Sequence, residues 1–188
     1  MPLFPRVRLR ALCLHVRDTL RAGLNAQITQ AIAETSGGDP PASGLATFTD
    51  PTLQIVFGDD PDYDPVTFPS IRIANPRVRL SPIGSATVTD AVITFTLGVY
   101  TEQIAGVGEC AGDIISPLSE TTLDLVESAR ACIERDYPSN LYGSQIVCQT
   151  IERIPAPQDP ENPCSMRMTY LVTFQATTRL RQSRGATT

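Results

Sequence analysis

The sequence predicts an α+β fold, a mainly antiparallel sheet with two amphipathic helices packed on one face and long loops between elements. Three observations predict it. Two long stretches, 87–101 and 166–181, alternate apolar and polar residues at the period of a half-buried strand. Two others, 9–34 and 119–137, repeat apolar residues at the three- and four-residue intervals of a helix with one aliphatic face. The order helix, strands, helix, strands leaves too few helices for the crossovers of a parallel sheet.

The first helix is expected over Leu9 to Glu34, with Leu9, Leu12, Val16, Leu20, Leu24, Ile28 and Ile32 forming its stripe. Thr35-Ser36-Gly37-Gly38 stops it, and a polar loop through Pro40 and Pro41 follows. Thr52 to Phe57 reads as a short strand. Phe68 to Ala74 is a second, entered through Pro69, with Val78-Arg79-Leu80 as a further extended piece. Thr87 to Thr101 sets Ala91, Ile93, Phe95, Leu97 and Val99 on one side and Asp90, Thr94 and Thr96 on the other. Met166 to Arg181 does the same with Met168, Tyr170, Val172, Phe174 and Ala176, interrupted only by Leu171. Matching length and polar sides predict that these two strands pair in antiparallel fashion.

Between them, Ser119 is placed to cap a second helix, Glu120 to meet its positive end, and Leu118 to staple against Leu123. Leu123, Val126, Ile133 and Tyr137 form its expected stripe, Asp124, Glu127, Glu134 and Arg135 face away, and Pro138 ends it. Ile114, Ile115 and Pro117 are read as lying ahead of the helix. Tyr142 to Ile154 is a further strand, and Pro155 to Pro163 a proline-bearing loop. At 188 residues the chain has the size of one domain, 1–188, with a tail at 183–188 expected to be flexible.

Composition narrows the function classes. The chain is 41% hydrophobic and 19% charged, as globular proteins are, and its 16 Pro and 12 Gly promise ordered loops. It carries a formal charge of −5, and all 15 of its basic residues are Arg. An acidic surface does not wrap a nucleic-acid backbone, but it suits one past which a polyanion slides without sticking. No apolar run approaches a membrane span, and the first residues lack a signal-peptide layout. A soluble, cytoplasmically made protein with no membrane association is the expectation.

No catalytic, cofactor or metal motif is evident. The five cysteines, Cys13, Cys110, Cys132, Cys148 and Cys164, are widely spaced and read as reduced thiols, several buried as small hydrophobes. His15 is the only histidine and reads as a boundary residue on a helix flank. Gly106-Val107-Gly108-Glu109-Cys110-Ala111-Gly112 lacks the spacing of a dinucleotide fingerprint and reads as a flexible excursion. The sharpest charge feature is Asp59-Asp60-Pro61-Asp62-Tyr63-Asp64-Pro65. Four carboxylates would suit a hard cation, but the ligand order, central glycine and closing glutamate of a calcium loop are missing. Its prolines make it a stiff, exposed acidic loop, and neither cofactor nor metal is expected.

The early amphipathic helix, the Phe68-Pro69-Ser70-Ile71-Arg72-Ile73 strand, the long Thr87 to Thr101 strand, the Ser119 to Tyr137 helix and the closing Met168-Thr169-Tyr170-Leu171-Val172-Thr173-Phe174 together resemble the tail terminator, or tail completion, proteins of long-tailed bacteriophages, of the minor-tail-protein-U type. The resemblance covers most of the chain as a pattern of elements. It implies a non-enzymatic virion protein, assembled in the host cytoplasm, that forms a hexameric ring at the head-proximal end of the tail. There it would end the tail tube and offer the head-joining surface. The implied partners are copies of itself, the tail tube protein and a head-proximal connector or stopper, with the sheath and the tape measure as further neighbours. Viral DNA would pass without specific binding, and Asp59, Asp60, Asp62 and Asp64 are the expected channel-facing acidic loop. Two alternatives stay open: another neck, connector or tube component of the particle, and an enzyme using carboxylates such as Asp59, Asp62 and Glu109.

Overall fold

The computed structural model of the chain describes residues 9–34, 54–57, 68–82, 88–104, 111–135, 146–155 and 165–181. In chain order the elements are α1 (Leu9–Glu34), β1 (Gln54–Phe57), β2 (Ser70–Pro82), β3 (Val88–Ile104), α2 (Ala111–Arg135), β4 (Ile146–Ile154) and β5 (Ser165–Arg181). The five strands form one sheet in the order β1-β2-β3-β5-β4. Every neighbouring pair is antiparallel except β1 and β2, which run parallel. The fold is therefore α+β, as the periodicities predict.

The centre of the sheet is the β3/β5 pair, whose register runs unbroken from Val88 opposite Arg181 to Ile104 opposite Ser165. Residues directly opposite in an antiparallel pair share a face, and successive residues alternate faces. The inward row of β3 is Ala91, Ile93, Phe95, Leu97 and Val99, and that of β5 is Met168, Tyr170, Val172, Phe174 and Ala176, all buried. These are the two rows that the sequence marks as apolar. Phe95 and Phe174 lie opposite each other with stacked rings, centroids 5.3 Å apart.

Both helices cover this face, α1 over β1 and β2 and α2 over β3, β5 and β4. Leu12, Val16, Leu20, Leu24 and Ile28 of α1 are buried in the same core, whereas Ile32, at the end of the expected stripe, is 39% exposed. The helices meet closely at Gly23, where an added Cβ would stand 2.8 Å from Cys132 Sγ. The Cys132 thiol donates to the Thr19 carbonyl at 3.5 Å, and Arg135 donates to the side-chain oxygens of Gln27 and Gln30, each at 2.8 Å. Arg21 ties α1 to the sheet by donating to the Ile55 carbonyl at 2.9 Å.

Helix α2 departs from expectation in two ways. It begins at Ala111, ahead of Ser119, and carries Pro117 inside it. An interior proline lacks a donor and costs about 3 kcal/mol or more in a free helix, but here Ile114 and Leu118 on either side of it are buried and hold the first turns in place. Thr121 and Thr122 donate their hydroxyls to the carbonyls of Pro117 and Leu118, one turn back. Ser119 is consequently an interior residue, and its hydroxyl lies 3.2 Å from that of Tyr170. The buried stripe also differs: Leu118, Leu125, Val126, Ala129, Cys132 and Ile133 are inside, while Leu123 is 41% exposed.

Strand β2 is continuous where the sequence suggests two pieces. Its pairing with β3 shifts between Ala74 and Arg77, and Asn75 takes up the bulge with a positive φ of 53°. That region of backbone space suits asparagine better than most residues. Glycine 98 of β3 serves a different purpose: the Tyr100 side chain folds back over it and fills the space where a Cβ would stand.

Candidate functional site

The sheet face turned away from the helices carries mostly polar side chains. Register places three rows of side chains across it. Arg72, Gly98, Leu171 and Glu152 form one row, Ala74, Thr96, Thr173 and Thr150 the next, and Arg77, Thr94, Gln175 and Val147 the third. Thr94, Thr96, Thr169, Thr173 and Gln175 are half-buried, whereas Arg77, Val147, Thr150 and Glu152 are exposed. Among the described residues no element lies over this face. The Thr hydroxyls of this face sit on β-carbons and are therefore placed by the backbone of the sheet.

Two local structures mark the face. Beside the β2 bulge, Asn75, Arg77, Thr94, Phe95, Thr96 and Thr173 line a shallow depression of about 280 Å³, open to solvent. At the far end, Glu102 Oε1 accepts from Ser165 Oγ at 2.5 Å and from Arg167 Nε at 3.1 Å. The same guanidinium lies 5.2 Å above the Phe68 ring. These contacts tie β3 to β5 near their ends.

The edges of the sheet differ. Strand β1 pairs with Ser70 to Ile73, so the Arg77–Pro82 half of β2 pairs with β3 on one side and has no strand on its other side among the described residues. Strand β4 is the other edge, and its pairing with β5 shifts between Cys148 and Thr150. At that bulge the Cys148 amide donates to Glu134 Oε1 of α2 at 2.9 Å, so a carboxylate satisfies a ladder amide. Burial pushes the Cys148 thiol above its ordinary pKa, and the neighbouring Glu134 carboxylate adds to the shift while Arg130 opposes it.

No family model matches the sequence, and no curated protein matches it. Several solved chains match, one of them over most of its length. It belongs to a structure described as the virion of a native gene transfer agent particle, and it is 13% identical to this chain. The match covers 86% of this chain and 97% of that one, with a TM-score of 0.42.

The residues singled out from the sequence fall out as follows. Asp59, Asp60, Asp62 and Asp64 lie outside the described residues, as do Glu109, Cys110, Cys164 and the Pro155–Pro163 loop beyond Pro155. The Gly106–Gly112 stretch is not wholly an excursion, because Ala111 and Gly112 already belong to α2. His15 is half-buried on α1, and Cys13 and Cys132 are buried thiols outside any disulfide. Among the described residues no three His, Cys, Asp or Glu side chains are grouped to hold a metal ion, and no helix is long and apolar enough to cross a membrane. Sequence reasoning missed the bulge depression, because Asn75-Pro76 reads as a break between two short strands.

Proposed function

We propose that this chain is a structural virion protein of a long-tailed phage-like particle, acting as its tail terminator. Six copies close into a ring that caps the finished tail tube and offers the surface on which the head docks. The observation that carries this reading is the two-sided sheet: both helices and the whole core lie on one face, and the other presents ordered threonine, glutamine and arginine side chains that no described element covers. A subunit built so has a rigid, polar surface left for neighbours. A repeated head-to-tail contact closes into a ring when its rotation divides a full turn.

In this reading the protein makes and breaks no bonds. Its partners are its own copies, the tail tube protein and the head-proximal connector, with sheath and tape measure adjoining. Viral DNA passes through the channel without specific binding. The acidic run Asp59, Asp60, Asp62 and Asp64 lines or rims that channel, where negative charge keeps the polyanion from sticking.

Negative-stain imaging of the purified chain tests the reading. Closed annuli of six subunits support it. Stacks that lengthen without limit favour a tube component, and a solitary chain that turns over a small molecule favours the enzyme.

A further inference from the structure

We propose, on the ring reading above, that the depression beside the β2 bulge receives a carboxylate side chain from a second copy of the chain, with Arg77 as its ionic partner. The register explains how an arginine comes to stand there. Ala74 lies opposite Thr96 and Arg77 opposite Thr94, so β2 carries one residue more than β3 across this interval. Ahead of the bulge, the odd-numbered Ile71 and Ile73 are buried in the core. The extra residue reverses that alternation and turns Arg77 to the opposite face, beside Thr94.

The lining of the depression sets the charge it accepts. Arg77 brings a fork of N–H donors, and Thr94, Thr96 and Thr173 each bring a hydroxyl. No Asp or Glu is among the lining residues, and no described carboxylate pairs with Arg77. A guanidinium with hydroxyls around it suits an oxyanion, and its planar fork matches a carboxylate in particular.

Size and shape decide how that carboxylate arrives. The depression holds about 280 Å³ and is open to solvent. Sites for free small molecules run from about 300 to 1,000 Å³ and enclose most of the ligand, so this one suits the tip of a side chain carried by a protein surface. Around it, Ala74, Thr96 and Thr173 share one row of the sheet, and Arg77, Thr94 and Gln175 the next. In a ring the nearest acidic surface is the chain's own, with 20 Asp and Glu against 15 Arg and a formal charge of −5. The same balance disfavours DNA, which needs clustered positive charge. Because no carboxylate lines the depression, the neighbour's acid comes from another part of the subunit surface, as a head-to-tail contact requires.

The test exploits the absence of Lys from the sequence. Arg77→Lys places the chain's one side-chain amine in the depression. A water-soluble carbodiimide, added to the full-length variant, joins that amine to a carboxylate in contact with it. The nitrogen bonds to the carboxyl carbon, and one carboxylate oxygen leaves on the carbodiimide as a urea. Covalent dimers and higher multiples are expected at about tenfold or more above the wild-type chain, since contact replaces a bimolecular encounter. Peptide mass spectrometry is expected to join position 77 to an Asp or Glu. Arg153→Lys, exposed on β4 outside the depression, controls for adventitious coupling. In parallel, Arg77→Glu, with folding checked by circular dichroism, is expected to weaken association by about tenfold or more. Equal coupling at both positions, no coupling at position 77 of an oligomeric chain, or an association constant unmoved by Arg77→Glu overturns this contact but leaves the ring. Coupling abolished by an equimolar short DNA duplex would assign the depression to the polyanion instead. A wild-type chain that stays monomeric overturns the contact and the ring together.

Discussion

At the scale of single residues, the α1/α2 contact turns on Gly23 and Cys132. A methyl group at position 23 would press on Cys132 Sγ at 2.8 Å, within a buried seam. Alanine normally favours a helix over glycine by about 1 kcal/mol. Here Gly23→Ala is expected to destabilise nonetheless, and Cys132→Ala in the same chain to remove most of the loss. A double-mutant cycle by urea denaturation reads the coupling, and additivity would contradict the close approach.

Cysteine 148 supplies a second residue-scale prediction. Its thiolate is disfavoured first by burial and then by Glu134. Alkylation of Cys148, followed at the peptide level, is therefore expected to reach half its limiting rate at a higher pH than a free thiol does. Glu134→Gln, which keeps an acceptor for the Cys148 amide and removes the charge, is expected to lower that pH. The linkage has a definite sign. A raised thiol pKa contributes stability that is complete below the ordinary thiol pKa and is lost as pH rises through the folded value.

Among the elements, the β3/β5 pair is the axis of the fold. Phe174→Ala removes the ring stacked on Phe95 at full burial and is expected to cost about 3–5 kcal/mol. Thermal or chemical denaturation checks it, and a loss below about 1 kcal/mol would mean that the two rings do not anchor the core. This pair was legible in the sequence because a period of two over many residues has no helical reading, and because Met168 to Ala176 and Ala91 to Val99 keep an apolar residue at every second position, with only Leu171 and Val92 as apolar residues between them. Helix α1 was equally legible from Leu12 to Ile28. Helix α2 was less so. Pro117 is a local stop signal overridden by the burial of Ile114, and Thr122 joins the core because its hydroxyl lies 2.6 Å from that of Thr101. Neither effect is visible in a hydrophobic stripe. The parallel placement of β1 against β2 was not legible either, since strand order depends on contacts distant in the chain.

For the molecule as a whole, the two faces of the sheet differ: one carries the core, and no element lies over the other among the described residues. The uncovered face was foreseeable from the Thr, Gln and Arg positions that alternate with the apolar rows. Its bulge depression was not, because it depends on where the β2/β3 register shifts. The acidic loop, the most conspicuous charge pattern in the sequence, lies outside the described residues. Its proposed role in the channel is therefore tested on the particle: Asp59→Asn/Asp60→Asn/Asp62→Asn/Asp64→Asn is expected to leave ring formation intact and to slow DNA passage. The measurement that bears most directly on the central claim is the native mass of the full chain across a wide range of concentration. The account predicts a discrete species of six subunits that does not grow further. A monomer throughout, or a mass that climbs without limit, would contradict it.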